Sequence, residues 1–171
     1  LRKGRQYHFA NPGYRSFDDF LGTLTSRKRK MIRKERAKVE ESGITIRTLC
    51  GPEIEPRHWD AFYRFYMATA DRKWGNPYLT REFFHLLGER MADRVALVLA
   101  EDHGRLVAGA LNLIGDEALY GRNWGCLGDY RFLHFEVCYY RAIDFAIERG
   151  LPRVEAGAQG EHKIHRGYMP V

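Results

Sequence analysis

No apolar run in this 171-residue chain approaches the roughly 18 residues that a membrane-spanning helix needs. The basic opening, LRKGRQYHFANPGYR, has no apolar core after it, so it does not read as a secretion signal. Cysteine is sparse: Cys50, Cys126 and Cys138, with no CxxC pair. An odd count of scattered thiols fits a reducing cytoplasm. It supplies neither a disulfide framework nor closely spaced zinc ligands, so no metal is expected. There is no internal repeat and no low-complexity tract. Acidic charge is scarce at the start. Residues 1–43 carry five acidic residues against twelve basic ones, while the remainder is nearly balanced at seventeen against sixteen. The net charge of +6 therefore belongs to one segment, which can steer an anionic partner.

What the chain does have is apolar and aromatic content. Hydrophobic residues make up 44% and charged residues 29%, with ten Tyr, ten Phe and three Trp. This excludes a disordered chain and suits one globular domain with a real core. Residues 1–15 hold turn formers without a period and read as an arm or linker. From Ser16 or Asp18 to Gly43, the spacing of Leu21, Leu24, Met31, Ile32 and Val39 predicts a helix. Its other faces carry the basic run from Arg27 to Lys38. ITIRTLCG (44–51) alternates as a strand. Pro56 opens a second helix, with Trp59, Phe62, Tyr63 and Tyr66 as its stripe, that gives way near WGNP (74–77). Thr80 caps a third helix. Two apolar runs around Gly104 predict a hairpin, and EALYGRNWGC a further strand. DYRFLHFEVCYYRAIDFAIERG predicts a long buried helix with Asp129 as its cap, and RVEAG one more strand. The elements make an α/β domain over 16–171, a mixed central sheet flanked by helices.

That order, an antiparallel meander feeding a buried helix and one more strand, resembles the GNAT acyltransferase fold. SRKRKMIRKER (26–36), KWGNPYLTREFF (73–84), LYGRNWG (119–125), LHFEVCYY (133–140) and GAQGEHKIHRGY (157–168) together resemble the FemAB-like family. That family is often labelled peptidoglycan biosynthesis/recognition and sits in the GNAT superfamily. The resemblance runs from about Tyr14 to Pro170. It implies the second of two tandem GNAT-like halves, so a missing N-terminal half is expected. It implies transfer of an acyl or aminoacyl group to an amine, as on a cell-wall precursor, with charged tRNA or acyl-CoA as donor. The basic helix, residues 26–38, is then either a tRNA contact or a solvated face. A CoA-dependent N-acetyltransferase and a non-catalytic peptidoglycan-recognition module are the alternatives. A GNAT phosphate loop resembles Q/R-x-x-G-x-G/A ahead of the buried helix. Here GCLGDYRF has Gly125 and Gly128 at another spacing, and Asp129 would repel phosphate where Arg131 offsets it only in part.

Amine acylation needs a proton acceptor and positive charge on the developing oxyanion. The closing stretch, AGAQGEHKIHRGYMPV (156–171), is too polar for a core strand and holds suitable groups. Lys163 can stabilise an oxyanion or phosphate, and the wider Fem group is similar in placing a lysine shortly after a glycine-rich segment. Glu161 and His162 can orient an amine or take its proton. Gly157 and Gly160 let backbone approach a ligand, and Arg166 adds a binding charge. The other reading is a surface turn with scattered charge. Glu136 shares a helix face with Leu133, Tyr140, Ile143 and Ile147, so it is either paired or turned to a cleft. His134 is either a core histidine or a site residue. Arg122, Asn123 and Trp124 lie on the strand where a cleft opens in this fold. Alternation puts Tyr120, Arg122 and Trp124 on one face and Asn123 on the other, and Trp124 reads as a core residue or as a substrate contact.

Overall fold

The computed structural model describes residues 4–73, 77–158 and 160–171, with side chains except at 71–73. Seven strands form one sheet: β1 (Tyr7–Ala10), β2 (Thr45–Cys50), β3 (Val95–Asp102), β4 (Arg105–Ile114), β5 (Ala118–Cys126), β6 (Arg153–Glu155) and β7 (Met169–Pro170). Their order is β2-β3-β4-β5-β6-β1-β7. Every pairing is antiparallel except β5 with β6. Parallel neighbours need a long crossover. Here it is a helix in three pieces: α5 (Leu133–Phe135), a π turn (Glu136–Tyr140) and α6 (Arg141–Arg149). The other helices are α1 (Phe17–Leu21), α2 (Ser26–Glu41), α3 (Pro56–Lys73) and α4 (Arg81–Arg90).

β3 is apolar and buried from Val95 to Ala100 because both faces of the sheet are covered there. Val95, Leu97 and Leu99 join Trp59, Phe62, Phe65 and Phe84 of α3 and α4. Ala96 faces the opposite way, in a cluster with Tyr139, Tyr140 and Ile143, while Val98, Ala100, Ala108 and Ala110 cluster with Val39, Leu133 and Val137. Small residues on that face make room for the bulky crossover helix. Gly109 and Gly125 stand opposite each other on the α3 side, and a Cβ at Gly125 would collide with the Phe65 backbone. Fully buried rings such as Phe62 and Phe65 each stabilise the fold by about 1.5–3 kcal/mol. The hairpin turns at His103 and Gly104, both with positive φ (51° and 78°), matching the right-handed twist of β3 and β4.

The mixed sheet with flanking helices is as expected, and three local expectations change. The opening residues are not simply an arm, because Tyr7–Ala10 form β1 between β6 and β7 with Tyr7 and Phe9 buried. The first helix is two helices. Gly22–Thr25 interrupts it, Thr25 Oγ1 accepts from Lys28 N (3.3 Å), and α2 starts afresh. Asp129 does not cap the crossover helix. That helix begins four residues later, after Phe132, whose φ of 65° is left-handed. The expected break near WGNP falls on residues 74–76, outside the described residues; α3 runs to Lys73 and Thr80 caps α4 as expected.

Candidate active site

β5 and β6 are paired only at Ala118–Tyr120 and Arg153–Glu155. Beyond Tyr120 and Glu155 they part, while β5 stays paired to β4 as far as Cys126. The opening is a cavity of about 360 Å³. β5 lines it with Arg122, Asn123 and Trp124, the crossover helix with His134, Cys138 and Tyr139, and the closing segment with Ala156 and Lys163.

Two irregularities of regular structure meet there. Leu111 faces Asn123 but Asn112 faces Gly121, so Arg122 is an extra residue without a β4 partner. This bulge cancels the expected alternation, and Arg122, Asn123 and Trp124 all line the cavity. Opposite lies the π turn, a widened helical turn that recurs at functional sites. It carries Cys138 and Tyr139 to the cleft. Asn112, 2% exposed, lines the cavity floor and donates to Ala96 O (3.4 Å).

The closing segment is a built part of the fold. Glu161–Arg166 form a short 3-10 helix, followed by β7. Lys163 is 6% exposed, and its Nζ donates to Ala156 O (2.7 Å), one residue past the last β5–β6 pair. Burial lowers the Lys163 pKa below the ordinary lysine value. His162 is exposed at its edge, and its Nε2 is 2.9 Å from Tyr139 Oη. Burial, then Arg166 and Lys163, lower the His162 pKa, so the ring is neutral at pH 7. Burial raises the Tyr139 phenol pKa, which keeps its proton. The His134 ring centroid lies 5.0 Å from Trp124, 5.4 Å from Tyr139 and 6.3 Å from His162. Arg122 and Lys163 are the charged residues of the lining, and no carboxylate is among the described residues there.

The other expected site residues sit elsewhere. Glu136, 3% exposed, is the paired alternative. Its carboxylate accepts from Arg36 Nε and Nη2 (both 2.9 Å) and Arg141 Nε (3.1 Å), facing α2 rather than the cleft. Arg36 also donates to Asp144 (2.6 Å). Burial opposes the Arg36 charge, but these carboxylates outweigh it and raise its pKa. Arg166 is buried against Glu35 of α2, with Nη2 to Oε2 at 2.6 Å and Nε to Oε1 at 3.1 Å, and Tyr140 Oη donates to the same carboxylate. Arg166 Nη1 holds His162 O (2.9 Å), and Tyr168 Oη holds Tyr139 O (2.9 Å). Glu161 is exposed beside His162. Gly157 and Gly160 have positive φ (82° and 104°), which explains glycine at both. Tyr139 and Asn112 were missed by the sequence reading, because a bulge and a π turn leave no mark in composition.

A short meander, a crossover helix and a parallel pair that parts at its end define a GNAT-type fold. Solved structures agree. A crystal structure of FemX superposes with a TM-score of 0.72 at 12% identity, covering 99% of this chain and 60% of that one. L-PGS from Bacillus licheniformis gives 0.68 at 12% identity, covering 98% and 57%. An aminoglycoside acetyltransferase from an uncultured soil metagenomic sample gives 0.52 at 11% identity, covering 74% and 85%. The model of the FemAB-like family, described as peptidoglycan biosynthesis/recognition, matches residues 1–171, and the chain belongs to that family. It spans about three fifths of the length of FemX and of L-PGS. A comparison with curated proteins finds no match. Among the described residues, no helix is long and apolar enough to cross a membrane, and no His, Cys, Asp and Glu group could hold a metal.

Proposed function

We propose that the cleft between β5 and β6 transfers an acyl or aminoacyl group to an amine, with an amine-bearing peptidoglycan precursor as acceptor. The observation that carries this reading is Lys163: a buried ammonium where two paired strands part, sharing a cavity with Arg122 and with no lining carboxylate to neutralise it. Family membership supports the substrate class; the cleft supports the chemistry.

In this reading the amine nitrogen attacks the donor carbonyl carbon and the carbonyl oxygen becomes an oxyanion. Lys163 keeps one N–H on Ala156 O and offers the others to that oxyanion. The tetrahedral adduct collapses, the bond from carbon to the donor oxygen or sulfur breaks, and the leaving group departs. The amine proton passes to neutral His162, directly or through the Tyr139 hydroxyl that touches it. Arg122 holds an anionic part of the donor and Trp124 packs against the substrate; Glu161, exposed beside His162 and outside the lining, takes no part in this reading. Gly157 and Gly160 give the backbone around Lys163 its path. Glu136 and Arg166 act as positioning residues, fastening the helix and the closing segment to α2.

Charged tRNA is the favoured donor. Arg27, Lys30, Arg33, Lys34 and Lys38 stand exposed on α2, and Asp129, exposed on the loop ahead of the crossover helix, would repel a CoA phosphate there. The test is a titration with charged tRNA and, in parallel, acetyl-CoA over a range of salt. Binding of tRNA that weakens with salt and is lost when those five cations are neutralised is the expected result. Saturable CoA binding without tRNA binding would replace this donor. Silence in both arms would leave a recognition module.

A further inference from the structure

A second cavity, of about 230 Å³, meets the Lys163 cleft at a shared wall. The wall is Trp124 and His134, which line both cavities with rings 5.0 Å apart and tilted by 47°. Thr69 of α3, Cys126, Gly128, Asp129, Tyr130 and Leu133 complete the second cavity.

The two spaces differ in charge. The cleft has Arg122 and Lys163 and no lining carboxylate; the second cavity has Asp129 and no lining cation, among the described residues. Tyr130 Oη donates to Asp102 (3.3 Å), so that phenol is already engaged. Arg131, the nearest cation in sequence, lies over the Phe132 ring at 4.7 Å and lines a different cavity together with Lys38. Asp129 is exposed and makes no ion pair among the described residues. A protonated amine is drawn to such a carboxylate, and a phosphate-bearing molecule is pushed from it.

We infer that Trp124 and His134 are the partition between two charge-sorted chambers: the Asp129 chamber admits a cationic amine and the Arg122–Lys163 cleft admits the anionic part of its reaction partner. The names acceptor and donor for these two ligands rest on the transfer reading above; the sorting itself does not. The sorting also sets acceptor choice, since an acceptor with an anionic group next to its amine is disfavoured at Asp129.

The test uses the whole chain with indole-15N tryptophan and two simple probes, n-butylamine and inorganic phosphate, at ionic strength held constant with sodium chloride. Trp124→Phe identifies the Trp124 indole resonance. Each probe is expected to shift that resonance, and saturating phosphate is expected to leave butylamine binding intact. Asp129→Asn weakens butylamine about two- to fivefold and spares phosphate, as for a solvent-exposed ion pair. Arg122→Gln does the reverse. Both residues are exposed, so neither change threatens the fold. Competition between the probes overturns the inference. So does an amine response untouched by Asp129→Asn, or a Trp124 resonance indifferent to butylamine. No readout depends on turnover, so the chambers and the transfer reading fail separately.

Discussion

Toward α2, the crossover helix meets a closed set of charges. Glu136 is held by Arg36 and Arg141, Asp144 by Arg36, and Glu35 receives both Arg166 and Tyr140. Toward β5, the same helix presents His134, Cys138 and Tyr139 to a cavity whose lining charges are Arg122 and Lys163. Both flanks are rich in titratable groups. They differ in whether the charges are already matched. A buried charge is tolerated when its partner and hydrogen bonds are in place, and the α2 flank meets that condition. On the cleft flank the lining cations Arg122 and Lys163 face no lining carboxylate. Density of charge marks both flanks; unmatched charge of one sign marks the proposed site.

The sharpest way to break this comparison is to open the closed flank. Glu35→Ala strands Arg166, which is 6% exposed, as a buried charge without its partner. Chemical denaturation should show a loss of about 3–5 kcal/mol. A loss below about 1 kcal/mol would mean that the pair does not fasten the closing segment.

A smaller effect comes from pH. Burial is the first cause that lowers the pKa of His58 and of His162. Each binds its proton more weakly in the folded chain than in the unfolded one. Stability from this source is complete above about pH 6.5, the free histidine value, and is lost as pH falls through the lowered pKa values. Transfer should fall over the same acid range, because protonated His162 cannot accept a proton. In His162→Gln the residual rate should lose that acid limb. An acid limb of unchanged shape in the variant would assign the proton to another group.

How much of this was legible varies by element. The β3–β4–β5 meander was readable because its signals are local: alternation along each strand and Gly104 at the turn. β1 and β7 were not. They are four and two residues long, and β1 gains its order from β6, pairing His8 with Glu155 across most of the chain. The break at Gly22 hid inside a helical period, although Thr25 is a good cap. Around the cleft, Lys163, His162 and Arg122 stood out by residue type, while Trp124 read equally as core. Glu35 did not, since it sits within a basic run and its partner is 131 residues away. The bulge that turns Asn123 into the cleft, and the π turn that delivers Tyr139, depend on pairings no local pattern records.

The most direct test of the central claim is the rate of aminoacyl transfer to an amine-bearing cell-wall precursor by Lys163→Met, at a temperature where circular dichroism shows the variant as folded as the parent chain. The account predicts a fall of about 10²–10³ in turnover, the scale for removing one oxyanion donor. A rate within about twofold of the parent chain, a barrier change of only ~0.4 kcal/mol, would contradict it.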